Sequence, residues 1–314
     1  MQHRIRLSLA AAALVAAGGA YAQEPESCRD VGIANVNWTG VTVKSETASY
    51  ILDALGYNTT LTTASVPIAF QSVAEGDRDF FLGLWLPTQQ SMIEPYLESG
   101  EIDQVTANLK GAKYTLAVPD YVYEAGVTSF SDLDEYRDRF EGRIYGIEAG
   151  NDGNLIIQQM IDEDAFGLGD WNLMESSEAG MLTQVKRSVP REDWVVFLGW
   201  APHPMNLNID MEYLTGGEEY FGPDQGGATV YTVATSGYTD RCANVGRFLE
   251  QYEYTVEEQS RAGGYVINED MGTREAGLRL IEEQPELLER WLDGVTTADG
   301  SEDAVAVVRE SLGL

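Results

Sequence analysis

Histidine is nearly absent from this chain of 314 residues, which holds two: His3 in the basic start, and His203. A serine–histidine–aspartate triad could use only His203, and no G-x-S-x-G sequence supplies its serine. No histidine–cysteine cluster has metal-ligand spacing. These absences argue against catalysis and against a metal. We expect His203, which lies between Pro202 and Pro204, to be a hydrogen-bonded structural residue.

Motifs for nucleotide and calcium binding are also missing. The glycine-rich loop at residues 150–154 has neither the lysine of a P-loop nor the spacing of a dinucleotide fingerprint. The many acidic residues form no D-x-D-x-D-G calcium loop. The sequence therefore predicts no cofactor and no enzyme activity.

Basic residues are few, with 20 Lys and Arg against 51 Asp and Glu and a net charge of −31. Such a surface is a poor partner for nucleic acid or anionic lipid. The simplest interpretation of this acidic excess is that it keeps the protein soluble, including in a salty medium. A second interpretation is that the field enriches cations near a pocket, but salt screens it beyond about 8–10 Å, so it cannot define specificity.

Long apolar runs are missing except near the start, where residues 7–17 follow a basic segment. The run is too short for a membrane anchor, which needs about 20 apolar residues. Ala20, Tyr21 and Ala22 fit the small-x-small cleavage rule, so we predict a signal peptide over residues 1–22. Cys28 lacks the context of a lipid-attachment site. The protein is therefore expected to be exported to the periplasm.

The chain has only two cysteines, Cys28 and Cys242. In an exported protein one disulfide is the ordinary expectation, because a redox or metal site would need a second ligand close by. A disulfide between Cys28 and Cys242 would close a loop of more than 200 residues in the unfolded chain. In the chain-entropy model, such a disulfide stabilises the fold by about 4–5 kcal/mol.

Strand and helix patterns alternate along the chain, which is typical of α/β folds. Strands are predicted at 31–36, 59–64, 79–85, 115–118, 143–148, 172–175, 194–199 and 228–234. Helices are predicted at 39–55, 66–74, 131–140, 155–162, 178–187, 245–254, 255–262, 274–284 and 285–292. We expect one lobe of residues 23–111 plus 226–314 and a second of residues 112–225. Two crossings between similar lobes make a hinged cleft.

Two segments of the chain nearly repeat each other, at residues 81–87 and 197–202. Each delivers a tryptophan, Trp85 or Trp200, to the end of a predicted strand before a proline, and Trp38 follows a third strand. Ligands of α/β sheets gather at the carboxyl ends of strands. Because ring faces attract organic cations, these indoles predict an aromatic pocket, with Tyr114 at the first crossing between lobes. Trp171, Trp194 and Trp291 are expected to serve packing.

At these residues the chain resembles the periplasmic choline-binding proteins of bacterial ABC importers, within the wider glycine betaine-binding family. The resemblance covers nearly the whole chain after the signal peptide. It is carried by residues 37–39, 51–57, 81–88, 111–117, 145–148, 150–154, 175–178, 197–200 and 202–206.

The resemblance implies a type II periplasmic binding protein fold, with a mixed sheet flanked by helices in each lobe and the ligand cleft between them. It implies an aromatic box of Trp38, Trp85, Tyr114 and Trp200 around a quaternary ammonium head, and Asn151 near the ligand's tail. It also matches a family disulfide between the two cysteines. The implied partners are an inner-membrane ABC permease and the ligand, with the protein a monomer.

One position departs from the pattern, since Gly40 stands where similar choline binders carry aspartate. The loss of that carboxylate favours a ligand with its own negative charge, such as glycine betaine, carnitine, trimethylamine N-oxide or a sulfonium analogue. Another acid could compensate for it. Two alternatives stay open: a receptor for a sugar, which also stacks on indoles, and an enzyme acting on methylated amines.

Overall fold

The computed structural model describes residues 24–314, so the predicted signal peptide lies outside the described residues. Within these described residues, nine strands form one mixed sheet. They are β1 (Asp30–Asn35), β2 (Asn58–Thr63), β3 (Phe80–Leu86), β4 (Ile102–Pro119), β5 (Arg143–Tyr145), β6 (Asn172–Met174), β7 (Val196–Ala201), β8 (Met211–Tyr213) and β9 (Gly227–Thr235). The order across the sheet is β2-β1-β3-β9-β4-β7-β5-β6, and β8 pairs with β4.

The strand directions explain why the sheet is mixed. Strand β1 is parallel to β2 and β3, and β5 is parallel to β6 and β7, as alternating strands and helices require. Strand β9 runs antiparallel to both β3 and β4, and β7 runs antiparallel to β4. Strands β4 and β9 therefore join two parallel halves.

The buried residues divide into separate cores. One core draws on residues between 114 and 221 and surrounds β5, β6 and β7; this part is called the second lobe. The other two cores draw on residues between 28 and 112 and between 228 and 308; they surround β1, β3 and β9 and belong to the first lobe. The 18-residue strand β4 pairs with β9 in its first part and with β7 in its second, so it runs through both lobes.

Helices cover the sheet. They are α1 (Thr39–Ala54), α2 (Val66–Ala74), α3 (Gln90–Ser99), α4 (Asp120–Glu124), α5 (Asp152–Asp162), α6 (Glu178–Ser188), α7 (Met205–Asn208), α8 (Glu218–Phe221), α9 (Pro223–Gly226), α10 (Tyr238–Arg241), α11 (Ala243–Gln251), α12 (Val256–Glu269), α13 (Thr273–Glu283), α14 (Glu286–Trp291) and α15 (Ala304–Leu312). Among residues 24–314, none of them is long and apolar enough to cross a membrane.

Four longer segments differ from the sequence-based expectation. The predicted helix at 131–140 is instead two short 3-10 turns, Phe130–Asp132 and Asp134–Tyr136, and the Asp132 carboxylate accepts hydrogen bonds from the N–H groups of the two residues before Phe130. Helix α3 was not predicted, since Pro95 within it argues against a helix. The first part of β4 and helix α15 were also missed.

Other expectations are confirmed. Cys28 and Cys242 form a disulfide with their Cα atoms 5.6 Å apart. Trp171 and Trp291 are buried in the cores, and Trp194 is half-buried against Phe140. These three indoles serve packing, as their positions in the sequence indicated.

Candidate ligand-binding site

A cavity lies between the two lobes. Both lobes contribute to its wall. The lining residues are Trp38, Gly40, Val41, Lys44, Trp85, Leu109, Tyr114, Ile147, Asp152, Trp200, Pro202 and Gln259. The four aromatic residues that the sequence placed in a box therefore line one cavity.

Three of the rings form a continuous aromatic wall. The Tyr114 ring lies 6.0 Å from the Trp85 ring and 6.2 Å from the Trp200 ring, measured between centroids. The Tyr114–Trp200 pair meets edge to face, at an interplanar angle of 81°. These distances are typical of interacting aromatic pairs. The wall is preorganised, because each ring is held by its neighbours.

Strand register explains how the rings meet. Trp85 and Trp200 are each the penultimate residue of their strands, β3 and β7. Tyr114 lies in β4 directly opposite Trp200 in the antiparallel pair, so the two side chains share one face of the sheet. Trp38 follows β1 and precedes the first residue of α1. The chain changes direction next to the three tryptophans, as the sequence pattern indicated.

Hydrogen bonds join the two lobes across the cleft, so the structure is closed. The Trp38 indole Nε1–H donates to Glu148 Oε1 at 2.6 Å. The backbone N–H of Thr39 donates to Glu178 Oε2 at 3.1 Å. Trp38 and Thr39 belong to the first lobe and the two glutamates to the second, so these bonds depend on closure.

The second lobe places carboxylates beside the cavity. Asp152 is 2 % exposed and accepts a hydrogen bond from Gln89 Nε2 at 3.2 Å. Burial raises the pKa of the Asp152 carboxyl and also that of Glu148. Burial, with the Asp152 and Glu148 charges, raises the pKa of the Tyr114 phenol. This side of the cavity suits a positive charge on a ligand.

The first lobe contributes a buried amine and an amide. Lys44 in α1 is 1 % exposed, and its ammonium donates to Asn108 Oδ1 at 2.6 Å. Burial lowers the pKa of Lys44 to about 7. Gln259 of α12 is 5 % exposed, and its amide covers Gly40 so closely that a Cβ at position 40 would collide with Gln259 Nε2. The Gln259 side chain can therefore occupy this position because residue 40 has no Cβ.

Asn151 lies next to the cavity and not among the residues that line it. Its Oδ1 accepts hydrogen bonds from the Asn154 N–H, at the start of α5, and from the Tyr114 hydroxyl at 3.3 Å. Its amide donates to the carbonyl oxygen of Glu148. Asn151 thus positions Tyr114 and α5, and its contact with a ligand stays a prediction.

His203 is hydrogen-bonded, as expected from the sequence. The Met205 N–H donates to Nδ1 at 3.0 Å, so the proton sits on Nε2, which lies 3.2 Å from Glu178 Oε1. The imidazole also packs 5.0 Å from the Trp200 ring, centroid to centroid. His203 therefore orients the glutamate that bridges the lobes.

The sequence reasoning missed Lys44, Asp152, Gln259 and the two bridging glutamates. Asp152 directly follows Asn151 in a loop that was already singled out, so its position was a usable signal. Lys44 and Gln259 gave none, because each is a polar residue in a helical pattern whose burial follows from tertiary packing.

A two-lobed α/β molecule with a closed cleft and a ring-lined cavity is a solute-binding protein by its architecture. Residues 29–277 match the family model for the substrate-binding domain of the ABC-type glycine betaine transport system. The chain belongs to this family of ABC-transporter substrate-binding proteins.

Two solved structures resemble the molecule over its whole fold. An ABC-transporter choline-binding protein in complex with choline is 43% identical, with a TM-score of 0.90 over 92% of this chain and 100% of that chain. An ABC-transporter choline-binding protein in an unliganded semi-closed conformation is 42% identical, with a TM-score of 0.84 over the same shares. The higher score falls on the ligand-bound form, in agreement with the hydrogen bonds across the cleft.

A curated relative is an uncharacterized protein, ORF1, of Chromohalobacter salexigens. It is 56% identical over 127 residues, which cover 40% of this chain and 82% of the relative.

Proposed function

We propose that the protein captures a quaternary ammonium or related onium compound in the aromatic cavity and delivers it to an inner-membrane ABC permease. The observation that carries the proposal is the convergence of Trp38, Trp85, Tyr114 and Trp200 on one cavity between the lobes. The similar choline-bound structure and the glycine betaine family model support the same ligand class.

Cation–π contacts with the four rings can supply most of the free energy that micromolar binding needs. A desolvated cation–π contact contributes about 2 kcal/mol, so three or four contribute roughly 6–8 kcal/mol before ordering costs. Micromolar affinity needs about 8 kcal/mol. Burial of the methyl groups adds to the ring contacts, so no catalytic step or cofactor is needed for function.

We also propose a hinge near the two crossings between lobes, with residues 23–111 plus 226–314 moving against residues 112–225. Gly111 and Gly226 lie near the crossings and have φ values of +77° and +75°. A Cβ on Gly226 would collide with the Tyr114 carbonyl group, which ties the second crossing to the ring wall. Ligand contacts that form only on closure would drive the motion.

Export to the periplasm through the signal peptide at residues 1–22, and a monomeric state, complete the proposal. We also propose that Asn151 lies near the ligand's tail, on the α5 side of the cavity.

Equilibrium titration of the purified protein with choline, glycine betaine, carnitine, trimethylamine N-oxide and glucose tests the ligand class. Binding of at least one onium compound at micromolar concentration is expected, with no heat from glucose. Glucose binding without any onium binding would overturn the proposal in favour of a sugar receptor.

A further inference from the structure

The cavity is chemically asymmetric. Its second-lobe side carries the Asp152 carboxylate beside the Tyr114 ring. Its first-lobe side carries the Lys44 ammonium and the Gln259 amide. A ligand with only a positive charge would find a complementary charge on the Asp152 side of the cavity and none on the Lys44 side.

Lys44 is a buried cation without a counter-ion. Asn108 Oδ1 is its hydrogen-bond partner, and among residues 24–314 no carboxylate forms an ion pair with it. A buried ammonium is costly unless it is paired or fully hydrogen-bonded. Since Lys44 lines a ligand cavity, an anionic group on the ligand is the natural partner.

Gln259 and the start of α1 lie beside Lys44. Gly40 and Lys44 are four residues apart in α1 and so share one face of the helix. The Gln259 side chain rests against that face with Nε2, its hydrogen-bond donor, next to Gly40. The first turn of α1 also lines the cavity at Gly40 and Val41.

We propose, building on the onium-binding function above, that Lys44 and the Gln259 amide form the anion-binding end of the cavity. The ligand class is then a zwitterion: a methylated onium head among the rings and a carboxylate or comparable anion against Lys44. Glycine betaine is the probe that represents this class.

The physical reason is charge balance in a low-dielectric site. A zwitterion places its cation among the rings on the Asp152 side and its anion next to Lys44, so both buried charges of the protein gain a partner. Choline would leave Lys44 unpaired and add a second positive charge to the same cavity. Gly40 contributes by leaving room for Gln259, which donates a hydrogen bond without adding a negative charge.

The test compares glycine betaine, choline and tetramethylammonium by titration calorimetry at pH 6, where a lysine with a pKa of about 7 is charged. The variants are Lys44→Met, which keeps the chain length and removes the charge, and Gln259→Leu. Lys186→Met is the control, because Lys186 is exposed in α6 of the second lobe and carries the same charge change.

We expect the unchanged protein to bind glycine betaine at least tenfold more tightly than choline. Lys44→Met should lose at least tenfold for glycine betaine while choline and tetramethylammonium binding stays equal or improves. Gln259→Leu should show the same selectivity with a smaller loss, and it keeps the test available should Lys44→Met fail to fold.

The measurements distinguish failure of the anion-binding proposal from failure of the proposed onium-binding function. If Lys44→Met and Gln259→Leu weaken all three ligands by the same factor, or if choline is preferred from the start, the anion-binding end is wrong and the onium function stands. If none of the three onium compounds binds the unchanged protein, the proposed function itself fails.

Discussion

Glu178 of the second lobe caps the first helix of the first lobe. Its carboxylate accepts hydrogen bonds from both the backbone N–H and the hydroxyl of Thr39, the first residue of α1. The first N–H groups of a helix have no partner within it, and a carboxylate there also interacts well with the helix dipole. The cap is completed across the cleft, so the cleft must be shut for the bond to exist.

Glu178→Gln should weaken ligand binding about tenfold or more, since hydrogen bonds to charged groups contribute about 1.5–3 kcal/mol. Glu178 Oε1 accepts from the Thr39 hydroxyl and the His203 Nε2–H, and Oε2 accepts from the Thr39 N–H, so an amide nitrogen in either place leaves one N–H donor without an acceptor. Calorimetry gives the affinity, and small-angle scattering at saturating ligand gives the fraction closed. Glu135→Gln is the matched control, because Glu135 is exposed in the same lobe. Equal affinities for the two variants would show that the cross-lobe cap does not contribute to closure.

Trp85→Ala should reduce onium affinity by at least 2 kcal/mol, about 30-fold, because it removes one face of the ring wall. Trp194→Ala is a close control: both indoles are half-buried, and Trp194 packs on Phe140 and Arg139 instead of the cavity. The control should lower the melting temperature and leave affinity within about twofold. The reverse pattern would move the binding site away from the rings.

The stability of the ligand-free protein should rise with pH above about 7 because of Lys44. Its pKa is about 7 in the folded protein and 10.5 ordinarily, so between these values the unfolded chain binds more protons. The free energy of unfolding then gains up to about 1.4 kcal/mol per pH unit. Burial raises the pKa of several tyrosines, including Tyr57, and this acts in the opposite direction only above about pH 10.

Urea unfolding at pH 7.5, 8.5 and 9.5 measures the effect as a difference between the unchanged protein and Lys44→Met. The difference should shift steadily in favour of the unchanged protein as pH rises, while Lys186→Met follows the unchanged protein. Parallel profiles for Lys44→Met and the unchanged protein would mean that Lys44 stays charged inside the fold.

Replacing both Cys28 and Cys242 by serine should destabilise the protein by about 2–5 kcal/mol, because the disulfide closes a sequence separation of 214 residues in the unfolded chain. Both cysteines lie in a first-lobe core and neither lines the cavity, so affinity should change by less than about twofold. Urea unfolding and ligand titration on the same sample separate the two effects. A large loss of affinity at unchanged stability would contradict this assignment.

Much of the fold follows from local pattern. The strands ending at Trp85 and Trp200 are apolar runs that stop at a proline, and the helices α2 and α6 are bounded by ordinary start and stop signals. The polar first part of β4 was missed, since its pairing with β9 depends on a strand more than a hundred residues later. The same long-range pairing makes the sheet mixed.

The sequence by itself determined the α/β class, the disulfide and the aromatic residues of the cavity, because periodicity, cysteine number and tryptophans at strand ends are local signals. Only the tertiary structure decided the polar groups around those rings. Lys44 is an ordinary helical lysine until β4 and α12 bury it, and Gly40 has meaning only with the Gln259 amide against it. The sequence shows which side chains are ionisable. The free-energy cost of burying such a side chain, and the partner that it finds, depend on which distant segments exclude water from it.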